Sequence, residues 1–135
     1  STLLASSAAS DVYKRQVLGK RCDCMPVQIS NIIQDFAKRA RGLLGNSLDS
    51  VIVYGSYARG DYSEYSDIDV MLLVSLTEDQ IKTVSNRISD LAFDYMLIYG
   101  IDISPVITNT DHFNYWVDNL PYYRSVRDEG VKISA

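Results

Sequence analysis

Residues 55–69 read GSYARGDYSEYSDID, and this stretch joins the end of one apolar strand to the start of another. The first strand is predicted at residues 50–54, SVIVY, because β-branched and aromatic residues dominate that run. The second is predicted at residues 67–74, DIDVMLLV. Side chains alternate across a strand, so Asp67 and Asp69 share one face and the intervening residue points to the other. The stretch therefore predicts a glycine-serine turn beside two carboxylates about 7 Å apart.

The turn and the two aspartates have the chemistry of a phosphate and metal site. Gly55 has no Cβ, so a phosphate can approach the backbone closely. Ser56 adds a hydroxyl, and residues 56–60 predict a helical turn whose first N–H groups would face an anion. Mg²⁺ prefers oxygen ligands and takes one or two carboxylates together with substrate phosphates. Asp67 and Asp69 could therefore hold a nucleoside triphosphate on two such ions.

A third carboxylate is predicted to lie beside the first two. Residues 101–107, IDISPVI, have the pattern of another strand. The isoleucines on either side of Asp102 would face the core, and Asp102 would share the opposite face with Asp67 and Asp69. A carboxylate there could position or deprotonate an incoming hydroxyl.

The spacing of these residues resembles a known family. Gly55-Ser56 is followed by ten residues and then by the Asp67 and Asp69 pair, with an Ala-Arg-Gly sequence inside the interval. This pattern closely resembles the minimal nucleotidyltransferases of the polymerase-β-like superfamily, over roughly residues 31–133. The resemblance implies an α/β (α+β) fold with a small mixed β-sheet and flanking helices. It also implies an enzyme that transfers a nucleoside monophosphate, usually from ATP, to a hydroxyl acceptor.

The resemblance assigns a role to each position that matches the family pattern. The assigned residues are Gly55, Ser56, Arg59 and Ser66 for the nucleotide, and Asp67, Asp69 and Asp102 for catalysis and metal binding. Mg²⁺, or alternatively Mn²⁺, would bridge the ATP phosphates, and the acceptor oxygen would attack the α-phosphate as pyrophosphate leaves. An alternative for Arg59 is a surface ion pair with Asp61 or Glu64.

The acceptor is the part of the function that the sequence leaves open. Minimal members of this family often accompany an all-helical toxin ribonuclease of the HEPN type and adenylylate a tyrosine of that partner. A first alternative is transfer to an aminoglycoside-type small molecule, with a dimer mate or another protein completing the pocket. A second is a binding module that neutralises its partner by contact alone. A homo-oligomer is compatible with each hypothesis.

Composition is consistent with one small domain and excludes some partners. The 135 residues carry a net charge of −4, from 13 basic and 17 acidic residues, which argues against broad nucleic-acid binding. No apolar run is long enough to cross a membrane. Residues 1–24 are predicted to be a non-native or disordered extension, and residues 25–135 the nucleotidyltransferase domain. Cys22 and Cys24 are predicted to be free thiols in a reducing cytoplasm.

The rest of the chain predicts helices around the sheet. Apolar residues recur at helical spacing in residues 29–44 and 81–96, and Thr77 with Gln80 predicts a capping box before the second helix. Two short helices and a last edge strand are predicted after residue 110. Most C-terminal aromatic rings are predicted to pack on the sheet. Any that stay exposed would form a partner surface or an acceptor pocket.

Overall fold

Helices and strands alternate along the chain in the computed structural model, which describes residues 26–63 and 66–134. The helices are α1 (Val27–Leu44), α2 (Ser56–Arg59), α3 (Glu78–Tyr99), α4 (Thr110–Trp116) and α5 (Pro121–Glu129). The strands are β1 (Leu48–Tyr54), β2 (Ile68–Val74), β3 (Ile103–Asn109) and β4 (Val131–Ile133). The predicted extension at residues 1–24, with Cys22 and Cys24, lies outside the described residues, as does Glu64.

The four strands form one mixed sheet in the order β3-β2-β1-β4. Strand β1 runs antiparallel to β2 and β4, whereas β2 and β3 are parallel. A parallel pair needs a long crossover connection, and the 22 residues of α3 provide it. The end of β1 and the starts of β2 and β3 therefore meet at one end of the sheet. Both the α/β class and the mixed sheet predicted from the sequence are confirmed.

The sheet is covered on both faces, which explains the continuous apolar run of β2. Helices α1 and α3 cover one face, where Phe36 and Ile88 pack against Val53 and Ile68. The smaller core on the other face contains residues of β1, β2, α4 and α5 and the residue that follows α4, namely Ile52, Met71, Leu73, Phe113, Val126 and Val117. Asp69 lies one residue from Ile68 and two from Met71, so it belongs to this second face.

The predicted capping box is present at the start of α3. The backbone N–H of Gln80 donates to Thr77 Oγ1 at 3.2 Å, and the backbone N–H of Thr77 donates to Gln80 Oε1 at 2.9 Å. Two N–H groups that the helix itself cannot pair are thereby satisfied. Gly100 ends the helix with a left-handed backbone, at φ 68° and ψ 23°.

Removing the Thr77 hydroxyl should test how much this cap stabilises the fold. We expect Thr77→Ala to lower the free energy of unfolding by about 1 kcal/mol, because the Gln80 N–H loses its acceptor. Thr77→Ser keeps an oxygen at the same position and should stay close to wild type. Urea denaturation of the three proteins measures the difference. Equal midpoints for all three would mean that the cap contributes nothing.

Two predictions about the second half of the chain need correction. Strand β3 begins at Ile103 rather than at Ile101, because the Ile101 N–H still donates to the Tyr95 carbonyl at the end of α3. The prediction that most C-terminal aromatic rings pack on the sheet is wrong: Phe113 is buried, but three of the five rings are exposed, namely Tyr115, Trp116 and Tyr122. The short helix α4 can turn only one side toward the small second core.

Within the described residues, no helix combines the length and the apolar character needed to cross a membrane.

Candidate functional site

The Gly55 turn is built around a backbone conformation that favours glycine. Gly55 has φ 77° and ψ −151°, a region that is essentially restricted to glycine. A Cβ built on this residue would overlap the carboxylate of Asp69, so that carboxylate lies directly against the glycine backbone. The predicted helical turn follows as α2, and Gly60 ends it at φ 88°. The missing side chain at Gly55 thus makes room for a carboxylate.

Sheet register places Asp69 between two neighbouring strands. Asp69 pairs with Tyr54 of β1 on one side and with Ser104 of β3 on the other. Asp67 precedes β2 and is exposed, whereas the intervening Ile68 is fully buried. The predicted alternation is therefore observed, with the two aspartates on one face and the isoleucine in the core.

Asp102 lies at the same end of the sheet, next to Asp67. Its carbonyl accepts a hydrogen bond of 2.8 Å from the N–H of Ile68, which fixes the two segments against each other. The next residue, Ile103, is buried in the core, so the side chain of Asp102 is left on the outer side. The carboxyl groups of Asp102 and Asp67 lie within hydrogen-bonding reach of each other. Asp102 thus reaches the predicted neighbourhood although it precedes its strand.

Burial and mutual repulsion shape the electrostatics of the three carboxylates. The pKa of Asp69 is raised, first by burial and then by the negative charge of Asp67, while the positive charge of Arg59 opposes the shift. The pKa of Asp102 is raised by burial, by the charge of Asp67 and by the hydrogen bond to Asp67. Asp67 therefore interacts with both other carboxylates, and a nearby cation would relieve the repulsion.

This donor set fits Mg²⁺ once a substrate contributes to it. In the part of the chain that the structure describes, no three carboxylate, imidazole or thiol side chains are grouped tightly enough to hold a metal ion unaided. Mg²⁺ usually keeps several waters and binds through one or two carboxylates plus substrate phosphates, so a complete protein cage is not required. Carboxylate oxygens of Asp67, Asp69 and Asp102 are ligands of the right kind.

Arg59 is close to Asp69, and Ser66 is close to Asp67 and Asp102. Arg59 Nε is 3.2 Å from Asp61 Oδ2, and its Nη1 is 3.5 Å from Glu129 Oε1. The surface pairing with Asp61 is therefore observed, and Glu129 is a partner that sequence reasoning missed. Ser66 lines a cavity of about 200 Å³ together with residues that include Asp67 and Asp102.

A pair of tyrosines beside Asp69 was not predicted either. The hydroxyl groups of Tyr54 and Tyr122 lie 2.6 Å apart, joining β1 to α5. Burial and this hydrogen bond raise the pKa of the Tyr54 phenol, and the charge of Asp69 adds to the shift. Strand alternation places Tyr54 on the face of the aspartates. No sequence pattern identifies Tyr122 as its partner, because the contact depends on how α5 returns to the sheet.

Comparison with known proteins gives matches over most of the chain. A family model described as the nucleotidyltransferase domain matches residues 29–123. A protein of Methanocaldococcus jannaschii, MJ0141, provisionally named a protein adenylyltransferase, is 40% identical over 101 residues, which are 72% of this chain and 96% of that protein. MJ0604 of the same organism, provisionally given the same name, is 31% identical over 98 residues, 73% of this chain and 90% of the relative.

Solved structures share the fold at lower sequence identity. A provisionally assigned nucleotidyltransferase from Sulfolobus solfataricus superimposes with a TM-score of 0.53 at 18% identity, over 78% of this chain and 79% of that chain. A mutant of the MntA-HpeT toxin-antitoxin gives a TM-score of 0.50 at 18% identity, over 78% and 73% of the two chains. The predicted nucleotidyltransferase fold is confirmed by these similarities.

Proposed function

Because the chain belongs to the nucleotidyltransferase domain family and is a nucleotidyltransferase, we propose that it transfers AMP from ATP to a tyrosine hydroxyl of a HEPN-type protein partner. The observation that carries the proposal is the position of Asp69. Its carboxylate lies against Gly55 and interacts with Asp67, which in turn interacts with Asp102. This arrangement supports the proposal that the three acidic groups act on a triphosphate bound at the Gly55-Ser56 turn.

Each residue of the site has a role in this reaction. The turn at Gly55 and Ser56 binds the β- and γ-phosphates, and Ser66 contacts the nucleotide beside Asp67. Asp102 accepts the proton of the incoming hydroxyl, because in the row formed by Asp69, Asp67 and Asp102 it lies farthest from the Gly55 turn. Arg59 steadies the loop through Asp61 and places a positive charge near the phosphates.

Asp67 and Asp69, with Asp102, would hold Mg²⁺ or Mn²⁺. When bound, the ions supply charge neutralisation for the phosphates and lower the pKa of the acceptor hydroxyl. The raised pKa of Asp69 supports this role, since burial and the charge of Asp67 disfavour its ionised form until a cation balances it.

Two similarities support a protein acceptor and a toxin partner. The relatives MJ0141 and MJ0604 carry names that specify protein adenylyl transfer. The MntA-HpeT neighbour is described as a toxin-antitoxin, although its similarity to this chain concerns the fold alone. We further propose that the protein acts in the cytoplasm, where ATP is supplied and thiols such as Cys22 and Cys24 stay reduced.

The acceptor can be identified by mass spectrometry of a co-expressed HEPN-type neighbour-gene product. We expect that protein to gain one or more AMP masses on tyrosine in the presence of the chain. Purified chain, ATP, Mg²⁺ and the unmodified partner should reproduce the gain in vitro. No gain, with AMP found instead on an added aminoglycoside such as kanamycin, would replace the protein acceptor with the small-molecule alternative.

A variant separates catalysis from simple contact. Asp67→Asn/Asp69→Asn should bind the partner but leave it unmodified and its ribonuclease active. If this double variant neutralises the partner as well as wild type does, the chain is a binding module and the proposed transfer is not its antitoxin mechanism.

A further inference from the structure

A groove of about 500 Å³ lies between α3 and the start of β3, directly beside the acidic residues. We call it the α3 groove. Asp67 and Asp102 form its acidic end. Its apolar lining residues include Ala92, Phe93, Met96 and Pro105. Strand β3 is the last strand in the sheet order on this side, so the groove opens at the edge of the sheet.

The order of the strands fixes which reactant the α3 groove can serve. Gly55 follows β1, Asp67 precedes β2 and Asp102 precedes β3, and these strands are consecutive neighbours. The row formed by Asp69, Asp67 and Asp102 therefore runs from the Gly55-Ser56 turn to the edge of the sheet, where Asp67 and Asp102 line the α3 groove. In phosphoryl-type transfer the attacking and leaving oxygens lie roughly in line. With pyrophosphate leaving at the turn, the acceptor oxygen approaches from the side of the α3 groove.

The wall of the α3 groove is largely apolar, with Ser89 and Ser104 among its lining residues, and it is accessible. Phe93 is 59% exposed, and Met96 follows it at helical spacing on the same side of α3. Leu97, on the next exposed position, is 67% exposed and extends the apolar surface beyond the groove. Large apolar side chains grouped in this way are typical of a protein-binding surface.

The charges around the groove favour a protein segment over the other acceptors. Its charged lining residues are both acidic, Asp67 and Asp102, so a polyanion would be repelled. A polycationic, polyhydroxylated antibiotic would need many polar contacts, whereas the uncharged polar lining residues are Ser89 and Ser104 and the other five are apolar. An apolar segment with a tyrosine, and without acidic neighbours, fits both the wall and the charges.

Resting on the proposed function, we propose that the α3 groove is the acceptor site and that Phe93 and Met96 hold an apolar partner segment that presents its tyrosine hydroxyl to Asp102. The bond from the tyrosine oxygen to the α-phosphorus forms as the bond to pyrophosphate breaks. The phenolic proton passes to the Asp102 carboxylate. Phe93 is a positioning residue for the acceptor and has no contact with ATP.

Steady-state kinetics with the purified HEPN-type neighbour-gene product tests this assignment. Phe93→Ser should raise the KM for the partner by about tenfold or more, because a large apolar contact is lost. The KM for MgATP should stay within about twofold, since Gly55 and Ser56 are not among the residues that line the α3 groove. Phe93→Leu keeps an apolar side chain and should recover most of the affinity. Leu43→Ser, an exposed position near the end of α1, is the matched control.

A binding measurement under conditions that prevent AMP transfer tests the role of the α3 groove separately from the proposed reaction. With a non-hydrolysable ATP analogue present, calorimetry should show that Phe93→Ser weakens partner binding about tenfold while Leu43→Ser does not. If that holds but wild type transfers no AMP, the α3 groove stands as the partner-docking surface, whereas the proposed transfer and the acceptor role fail. If wild type transfers AMP and Phe93→Ser leaves the partner KM and affinity unchanged, the acceptor site is overturned.

Two further outcomes would also overturn the assignment. The first is a loss of partner binding with Tyr115→Ser but not with Phe93→Ser, which would place the docking surface on the exposed rings of α4. The second is a wild-type dimer that Phe93→Ser dissociates without any change in partner binding, since the groove would then be a contact between two copies of this chain.

Discussion

Asp69→Asn is expected to abolish AMP transfer while the protein stays folded. The substitution keeps the size of the side chain but removes the negative charge that would bind Mg²⁺ beside Gly55. The lost electrostatic stabilisation corresponds to a fall in kcat of roughly 10²–10³-fold or more. Incubation with radiolabelled ATP and the HEPN-type partner measures the residual transfer.

Although Asp69→Asn should lower activity, it should leave the thermal stability of the metal-free protein unchanged or raise it. Because the folded state raises the pKa of Asp69, its ionised form is less favourable in the folded than in the unfolded chain. The contribution of Asp69 to the free energy of unfolding is therefore most favourable at low pH and is lost as the pH rises through the pKa of the folded state. At neutral pH the ionised carboxylate destabilises the folded chain. The Tm of the metal-free variant should therefore equal or exceed that of wild type.

Asp90→Asn is the matched control for this experiment. Asp90 is exposed on α3, and the same chemical change there should leave AMP transfer unaltered. Undiminished transfer by Asp69→Asn would refute the assignment of this residue, whereas equal losses in both variants would point to a general effect of charge.

Gly55→Ala should lower both stability and activity. The backbone at φ 77° and ψ −151° costs a residue with a side chain about 1–3 kcal/mol. The added Cβ also overlaps the Asp69 carboxylate and displaces it. Displacement of a catalytic group by about 1 Å can cost about 10²-fold in rate. Urea denaturation and the same radiolabel assay measure the two effects.

A double-mutant cycle can separate the strain from the overlap. In an Asp69→Ala background the carboxylate is absent, so Gly55→Ala should cost less stability there than in wild type. The remaining cost reports the backbone conformation. Gly42→Ala is the control, because a Cβ there meets nothing within 4 Å and alanine suits the helix α1. Wild-type stability and rate for Gly55→Ala would contradict the overlap.

Local patterns predicted the parts of the fold that depend on neighbouring residues in the chain. The apolar runs around residues 50–54 and 67–74 became β1 and β2, and the Thr77 cap began α3 as expected. Alternation also placed Asp67 and Asp69 on one face. These features follow from side-chain periodicity and hydrogen bonding within a few residues, which a single sequence displays directly.

Contacts between distant segments could not be predicted in the same way. The overlap at Gly55 with Asp69 follows from the antiparallel register of β1 and β2, and Tyr54 meets Tyr122 only because α5 folds back on the sheet. The exposed Tyr115 shows why the packing of the C-terminal aromatic rings was predicted wrongly. The number of aromatic residues does not indicate how many of them a small second core can bury. The α3 groove likewise required the parallel pairing of β2 and β3.

The crossover that makes this parallel pairing has a consequence for how activity is lost. Asp67 and Asp102 come together only when the whole of α3 has been traversed and β3 has docked beside β2. Closing this distant pair costs chain entropy that the docking of β3 must offset, so we expect the three carboxylates to come together only when the sheet is complete. Catalysis should therefore disappear in step with global denaturation, and an activity measurement would serve as a probe of the cooperatively folded population.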